Sequence, residues 1–314
     1  MKAVLHYRAS PGFVAALERA LPEDVALAVV EERDDARFAR EIADAQVLLH
    51  CLEPVTAARL ALAPQLALVQ KIGVGLNTID LDAARARGIA VANMPGTNTS
   101  AVAEHALALL LAALRGVCDL DAATRAGRGW SPDLALVDRL GEVAGRTVGL
   151  VGMGAVARRV ARACAALDAR ILYTATAPKP DAPGEWRALD ALLAESDVVS
   201  LHLPLTDATR GLIGAARLAA MKPGSVLVNT ARGGLVDEPA LVRALERGPL
   251  RAAALDVFAH EPVDPASPLL ALPNVVLAPH VAWLTPETLA RSAAVAAENC
   301  RRLAAGLPLL HRVA

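Results

Sequence analysis

The stretch Val148-Gly149-Leu150-Val151-Gly152-Met153-Gly154-Ala155-Val156-Ala157 decides the fold. Its first residues suit a buried strand, which runs into a G-x-G-x-x-[GA] turn; Val156, Val160, Ala163 and Leu167 then recur at helical spacing. The first glycine permits a tight turn, the second lets backbone approach a pyrophosphate, and the small third residue lets helix pack on strand. The helix N-terminus, with its partial positive charge, then faces the phosphates. Glycine-rich turns are common, and it is the placement between an apolar strand and an amphipathic helix that marks this one as a dinucleotide site.

Downstream the alternation continues, with strands expected at Ile171–Thr174, Val198–Leu201, Val226–Asn229, Ala252–Val257 and Val275–Ala278, six with Val148–Val151. Six parallel strands with intervening helices is the count of a doubly wound dinucleotide fold. Upstream, apolar runs at Ala3–Tyr7, Val25–Val30, Val47–Leu49, Leu66–Ile72 and Ile89–Ala92 alternate with helical patterns, which implies a second parallel sheet covered on both faces. Ser100–Arg115 reads as one long helix with Val102, Ala106, Leu109 and Leu110 on a face. The last helix, Pro286–Ala305, finds no place in the second sheet and is expected to return to the first. The expectation is therefore an α/β protein of two doubly wound parallel-sheet domains. A Rossmann coenzyme domain, 99–284, is inserted into a discontinuous flavodoxin-like substrate (catalytic) domain, 1–98 and 285–314, with hinges near Asn98–Ser100 and Trp283–Thr285.

A length of 314 residues, 54% of them hydrophobic, suits two cores. A net charge of -1 gives no global attraction to nucleic acid or to an anionic membrane, so a small-molecule partner is expected and neither of those. Cys51, Cys118, Cys164 and Cys300 are scattered without a C-x-x-C, and no secretory signal precedes them, which suits reduced thiols in a cytoplasm. The apolar stretch Ala106–Leu114 is too short for the roughly 20 residues of a membrane span. No His, Cys or carboxylate spacing matches a metal site.

An acidic residue is expected about 20 positions past the glycine turn, where it would bind the adenosine ribose hydroxyls. The strand there ends Leu172-Tyr173-Thr174-Ala175-Thr176, without a carboxylate. A 2′-phosphate is then not repelled, and Thr174, Thr176 and Lys179 are placed to accept it. The cofactor expected is NAD(P)H with a lean to NADP(H). NAD(H) is the alternative, served by Asp181 or a backbone group.

Three further segments follow apolar strands, at the carboxyl edge where open α/β sheets bind ligands: Asn229-Thr230-Ala231-Arg232-Gly233-Gly234, Asp256-Val257-Phe258-Ala259-His260-Glu261-Pro262 and Ala278-Pro279-His280-Val281-Ala282-Trp283. With Lys71-Ile72-Gly73-Val74-Gly75-Leu76-Asn77-Thr78-Ile79-Asp80 and Val102-Ala103-Glu104-His105 upstream, the set resembles the D-isomer-specific 2-hydroxyacid dehydrogenases in motif order over nearly the whole chain.

The resemblance implies that Arg232 binds the substrate carboxylate and 2-oxygen, helped by backbone N–H groups of Val74 and Gly75. It makes His280 the acid/base and Glu261 the anion that orients its ring and stabilises the imidazolium. Hydride transfer creates an alkoxide-like oxygen, which needs a positive donor beside it. By the same likeness cofactor contacts fall on Thr99, Gly152, Gly154, Ala155, Val156, Thr174, His202, Pro204, Thr230, Ala231, Arg232 and Asp256. The family often has arginine and isoleucine where this chain has Ala155 and Val156, which removes one phosphate contact.

Taken singly, Arg232 and His280 are ordinary residues, and their shared strand-end placement is what singles them out. His260 is the rival acid/base, but its place beside Glu261 in sequence turns it elsewhere. His105 is expected to cap or pack within its helix, and Glu104 to face Arg115 or solvent. Tryptophans at places like Trp283 and Trp130 border the substrate pocket in hydroxypyruvate and glyoxylate reductases of the family, sometimes from the partner subunit; ordinary packing accounts equally well for Trp130. The resemblance thus implies a homodimeric reductase of small 2-keto acids giving the D-2-hydroxy acid, with hydroxypyruvate or glyoxylate favoured. The alternatives are D-3-phosphoglycerate dehydrogenase, for whose added regulatory domain a chain ending at Ala314 has no room, and a nucleotide-sensing module of corepressor type.

Overall fold

The computed structural model describes residues 1–131 and 133–314. In chain order the elements are β1 (Lys2–His6), α1 (Pro11–Ala20), β2 (Ala26–Val30), α2 (Asp35–Ile42), β3 (Val47–His50), α3 (Ala57–Ala61), β4 (Leu68–Lys71), α4 (Leu81–Ala86) and β5 (Ala90–Ala92). Next come α5 (Thr99–Arg115), α6 (Val117–Arg125), α7 (Leu134–Val137), β6 (Thr147–Val151), α8 (Ala155–Ala166), β7 (Arg170–Thr174), β8 (Glu185–Trp186), α9 (Leu189–Glu195) and β9 (Val198–Leu201). The chain closes with α10 (Ala215–Ala219), β10 (Ser225–Asn229), α11 (Glu238–Glu246), β11 (Leu250–Leu255), β12 (Val275–Leu277) and α12 (Pro286–Ala304). Two compact units result, Met1–Asn98 with Trp283–Ala314, and Thr99–Ala282.

The larger unit is a parallel sheet in the order β12-β11-β10-β9-β6-β7-β8. Its strands are near-continuous apolar runs because both faces are covered. Val151, Val199, Leu201, Leu227, Ala253 and Leu255 face one core, with Leu192 of α9, Leu218 of α10 and Leu241 of α11. The alternate residues Val148, Leu150, Val198, Val226, Val228 and Ala254 face the other, with Leu110 of α5 and Val160 of α8. This two-residue alternation is the pleat of the strand expressed in burial. Starting from β6, the order matches the doubly wound dinucleotide arrangement with one strand added at the far edge.

The sheet has seven strands rather than the expected six. The extra one is β8, two exposed residues paired with Leu172 and Tyr173 of β7. It carries no apolar run, so nothing in its composition announces a strand. Charges hold it in place: Arg170 and Arg187 reach Glu185 at 3.0 and 2.8 Å, and Glu195 at 3.7 and 3.2 Å, closing a four-membered ring of alternating sign.

The smaller unit is a parallel sheet in the order β2-β1-β3-β4-β5, the flavodoxin-like order. Thr285 caps α12 by accepting from the Thr288 N–H at 3.2 Å, and Pro286 opens its first turn. That helix packs on α1 and buries Ala293, Ala296, Ala297 and Cys300. Its buried Asn299 donates to Gln70 Oε1 at 2.6 Å and accepts from the Leu310 N–H at 2.7 Å, while Gln70 donates to the Ala92 carbonyl at 3.2 Å. A closed polar network in an apolar core fixes the helix in register against β4. Replacing Asn299 with Leu strands the Gln70 oxygen and the Leu310 N–H together, and should lower unfolding free energy by about 3 kcal/mol. Urea denaturation of the two proteins measures it.

Candidate active site

The strand ends of the larger unit are brought together by glycines that leave no room for a side chain. Gly152 lies at φ +103°, and a Cβ there would sit 2.7 Å from the His202 carbonyl oxygen. The exit of β6 therefore lies directly against the exit of β9, where the His202 N–H donates to Val151 at 2.8 Å. Gly154 begins α8 with extended backbone and no side-chain cap, and a Cβ on it would meet nothing within 4 Å. The first-turn N–H groups of Ala155 and Val156 thus open onto clear space, as an anion site at a helix N-terminus requires. Two polar atoms on the same edge, Thr230 Oγ1 and His202 Nε2, are buried without a hydrogen-bond partner. Burial holds His202 down at about 4, so its ring is neutral at physiological pH. An uncapped helix start, open space beside Gly154 and two buried polar atoms without partners fit a dinucleotide.

At the end of β7, Thr174 is half-buried and Thr176 exposed. The following loop is clamped: Tyr173 Oη accepts from the Lys179 N–H at 2.8 Å, and Arg158 donates to the Asp181 carbonyl at 2.6 Å. Lys179 Nζ donates to the Met153 carbonyl at 3.2 Å, which places a cation beside the glycine turn.

The His280–Glu261 pair is assembled by a second close approach. A Cβ on Gly233 would lie 1.8 Å from the Phe258 carbonyl carbon, so the loop leaving β10 presses on the loop leaving β11. Asn229 shapes the first loop, accepting from the Ala231 N–H at 3.0 Å and donating to the Arg232 carbonyl at 2.9 Å. In the second, the Phe258 N–H donates to Glu261 Oε1 at 2.9 Å, leaving Oε2 to meet His280 Nδ1 at 2.6 Å. The carboxylate accepts, so Nδ1 carries hydrogen and Nε2 is the ring nitrogen turned away from Glu261. His280 itself adopts a left-handed φ of 56°. Burial pushes the Glu261 carboxyl up, but the hydrogen bond and charge of His280, the Phe258 N–H and Arg232 outweigh it and leave the group below the ordinary carboxylate range. Desolvation lowers Arg232, partly offset by Glu261; guanidinium stays charged all the same. His260 is exposed and Glu261 pairs with His280.

Asp256 takes a part that the sequence does not announce. It is wholly buried, and its two oxygens accept from the Val281 and Ala282 N–H groups at 2.9 and 3.0 Å, with His105 Nε2 3.4 Å away. Its carboxylate organises the turn that presents His280. His105 accordingly looks inward from α5 to this carboxylate.

In the smaller unit, Val74 and Gly75 come after β4. The Gly73 carbonyl accepts from the Met94 N–H at 2.8 Å and the Val74 carbonyl from Asn93 Nδ2 at 3.1 Å. In a trans peptide C=O and N–H point oppositely, so the N–H groups of Val74 and Gly75 both turn away from the Asn93–Met94 segment. Trp283 is buried with its ring 5.8 Å from that of Tyr7, and Trp130 is 97% exposed. Among the described residues no cluster of His, Cys, Asp and Glu could hold a metal.

A family model described as D-isomer specific 2-hydroxyacid dehydrogenase, NAD binding domain, matches residues 107–282. The glyoxylate reductase of Aeropyrum pernix is 46% identical over 257 residues, covering 79% of this chain and 76% of that protein. The D-3-phosphoglycerate dehydrogenase of Mycobacterium leprae is 42% identical over 292 residues, covering 91% of this chain but 54% of that protein. Among solved structures, the NADPH-dependent glyoxylate/hydroxypyruvate reductase SmGhrB of Sinorhizobium meliloti, in complex with NADP and malonate, superposes with a TM-score of 0.85 at 30% identity, over 100% of this chain and 96% of that one. The chain belongs to the D-isomer-specific 2-hydroxyacid dehydrogenase family, whose members are NAD(P)-dependent oxidoreductases.

Because Gly233 touches backbone, no side-chain adjustment can admit a methyl group there. Gly233→Ala should cost at least about 2 kcal/mol of stability and displace Arg232 from Glu261. Thermal unfolding and a crystal structure of the variant check both outcomes.

Proposed function

We propose that this chain reduces a small 2-keto acid to the D-2-hydroxy acid with NAD(P)H, hydroxypyruvate or glyoxylate being the favoured substrates. The observation that carries the reading is the His280–Glu261 hydrogen bond of 2.6 Å on the strand edge that also bears Arg232 and the glycine turn. The reduced dinucleotide, when bound, supplies the hydride. Its holders are Thr99, Gly152, Gly154, Ala155, Val156, Thr174, His202, Pro204, Thr230 and Ala231 in the unit Thr99–Ala282, which we assign as the dinucleotide-binding domain; the other unit is assigned as the substrate domain. Arg232 offers a planar fork to the substrate carboxylate, Val74 and Gly75 add backbone N–H groups, and Trp283 borders the acid. His280 delivers a proton from Nε2 to the carbonyl oxygen, and Glu261 holds the ring by its hydrogen bond at Nδ1. With Thr174, Thr176 and Lys179 where an acidic residue would repel a 2′-phosphate, NADP(H) is the preferred form.

We further assign the chain to the cytoplasm as a homodimer. Its cysteines are all free thiols, and among the described residues no single helix is long and apolar enough to cross a membrane. Trp130 at 97% and Leu134 at 77% exposure, with Val117 and Val137 nearby in sequence, leave apolar surface along α6 and α7 that a second copy would cover. Phosphoglycerate dehydrogenase is the second reading, favoured by the identity to the Mycobacterium leprae enzyme over 91% of this chain.

Steady-state rates with NADPH and NADH across glyoxylate, hydroxypyruvate, pyruvate and 3-phosphohydroxypyruvate test the proposal. Turnover of the first two is expected; tight dinucleotide binding with negligible turnover of all four would instead mark a nucleotide-sensing module. Arg232→Gln should raise KM and lower kcat together, reducing kcat/KM by about 100-fold or more for loss of a charged hydrogen-bonded fork.

Glu261→Gln should act mainly on the pH profile. A glutamine has no charge to lose as pH falls, so the acid limb that Glu261 sets should be missing from the variant's profile. In the native protein the depressed Glu261 contributes its pairing energy above the ordinary carboxylate range and loses it as pH falls through its own lower value. Rates measured from pH 3 to 9 on both proteins show whether that acid limb is lost.

A further inference from the structure

The smaller unit holds a line of polar side chains that the proposed chemistry does not use. Lys71 ends β4 and His50 ends β3, and both are buried, at 5% and 2% exposure. Lys71 Nζ donates to the Cys51 carbonyl and lies 3.4 Å from His50 Nδ1, while His50 Nε2 lies 3.3 Å from Thr78 Oγ1. An ammonium group can only donate. His50 Nδ1 must therefore accept, which puts the ring hydrogen on Nε2 and directs it to Thr78. Burial, then the charge of Lys71, hold His50 down at about 3, so the neutral ring that this arrangement needs is the one present. The direction runs from Lys71 to His50 to Thr78.

Lys71 and Thr78 bracket the segment Ile72–Asn77, which contains Val74 and Gly75. Both ends are also tied by backbone: the Ile72 N–H donates to the His50 carbonyl and the Val55 N–H to the Thr78 carbonyl, each at 2.8 Å. Asn93 and Met94 hold its middle by the carbonyls of Val74 and Gly73. The segment is thus pinned at its two ends through one imidazole, with two N–H groups turned outward between the pins. Two amides aimed in common bind a carboxylate only if their separation and direction persist, and at most half a hydrogen-bond length of drift is tolerable.

We propose that the Lys71–His50–Thr78 line is a positioning clasp for the carboxylate-binding amides of Val74 and Gly75, and so sets the affinity for the 2-keto acid without touching that for the dinucleotide. Lys71, His50 and Thr78 are positioning residues here, acting through the backbone between them. The inference rests on the proposed function, which gives those amides their carboxylate.

The test is made on the full-length protein with Thr78→Val, Thr78→Ser and Lys71→Met. Thr78→Val keeps the shape and removes the acceptor for His50. It should raise the KM for glyoxylate by about tenfold, the effect of losing one buried hydrogen bond, and leave the KM for NADPH within about twofold. Thr78→Ser restores the hydroxyl and should return the wild-type KM. On the same samples, amide hydrogen exchange over residues 72–77 should quicken by about fivefold or more in Thr78→Val and not in Thr78→Ser. Lys71→Met should repeat the Thr78→Val pattern; if it does not fold, the threonine pair decides.

An unchanged glyoxylate KM with unchanged exchange in Thr78→Val overturns the clasp. So does a parallel rise of both KM values, which would mean a general loss of structure. A wild-type protein that turns over none of the four acids overturns the proposed function instead, and the exchange rates, which need no turnover, still decide whether the line holds the segment.

Discussion

The carboxylate of Asp256 is the constraint on which the acid/base edge depends. Removed entirely from solvent, it must be satisfied by donors from the protein, and the two it takes are consecutive N–H groups just past His280. A buried carboxylate left with one of these missing would be costly. The turn after β12 is therefore not free to choose its path, and the left-handed backbone of His280 is accepted in exchange for two charge-assisted hydrogen bonds. The imidazole ring is consequently held so that its Nδ1 meets Glu261 from a fixed side.

The same logic recurs at two strand exits in the larger unit. Gly152 lets β6 lie on the backbone of His202, and Gly233 lets the loop after β10 lie on Phe258. Between these contacts the side chains of Asn229 and Glu261 each tie down their own loop before reaching outward. Backbone proximity comes first and side-chain chemistry is laid on it. Three groups far apart in sequence can converge because parallel strands deliver all their carboxyl ends to one edge.

Much of this is legible in the sequence, for identifiable reasons. Apolar runs such as Val148–Val151 and Val226–Asn229 state their burial on both faces, and the glycine turn has few uses between a strand and a helix. Arg232, Glu261 and His280 are legible through their places after apolar strands, and the structure brings Glu261 to His280. Two things are not. β8 is short, exposed and charged, so no pattern of hydrophobicity could show it. Asp256 reads as a cofactor contact only through the resemblance, and its hold on the Val281 and Ala282 N–H groups is a tertiary contact that no local signal encodes. Lys71, His50 and Thr78 are likewise invisible as a group, since their association crosses between two strands and a loop.

β8 carries a consequence for how copies of this molecule can meet. The outer flank of β7 would, if bare, show a row of backbone donors and acceptors to any passing strand. Two residues suffice to occupy it because Arg170, Glu185, Arg187 and Glu195 fence the margin with alternating charges, and an incoming chain would have to strip water from all four. The fence is made of exposed pairs, so concentrated salt weakens it. Neutralising those side chains would loosen β8 and bare the flank of β7, turning a guarded border into a template for strand addition, a route to open growth rather than to a closed assembly.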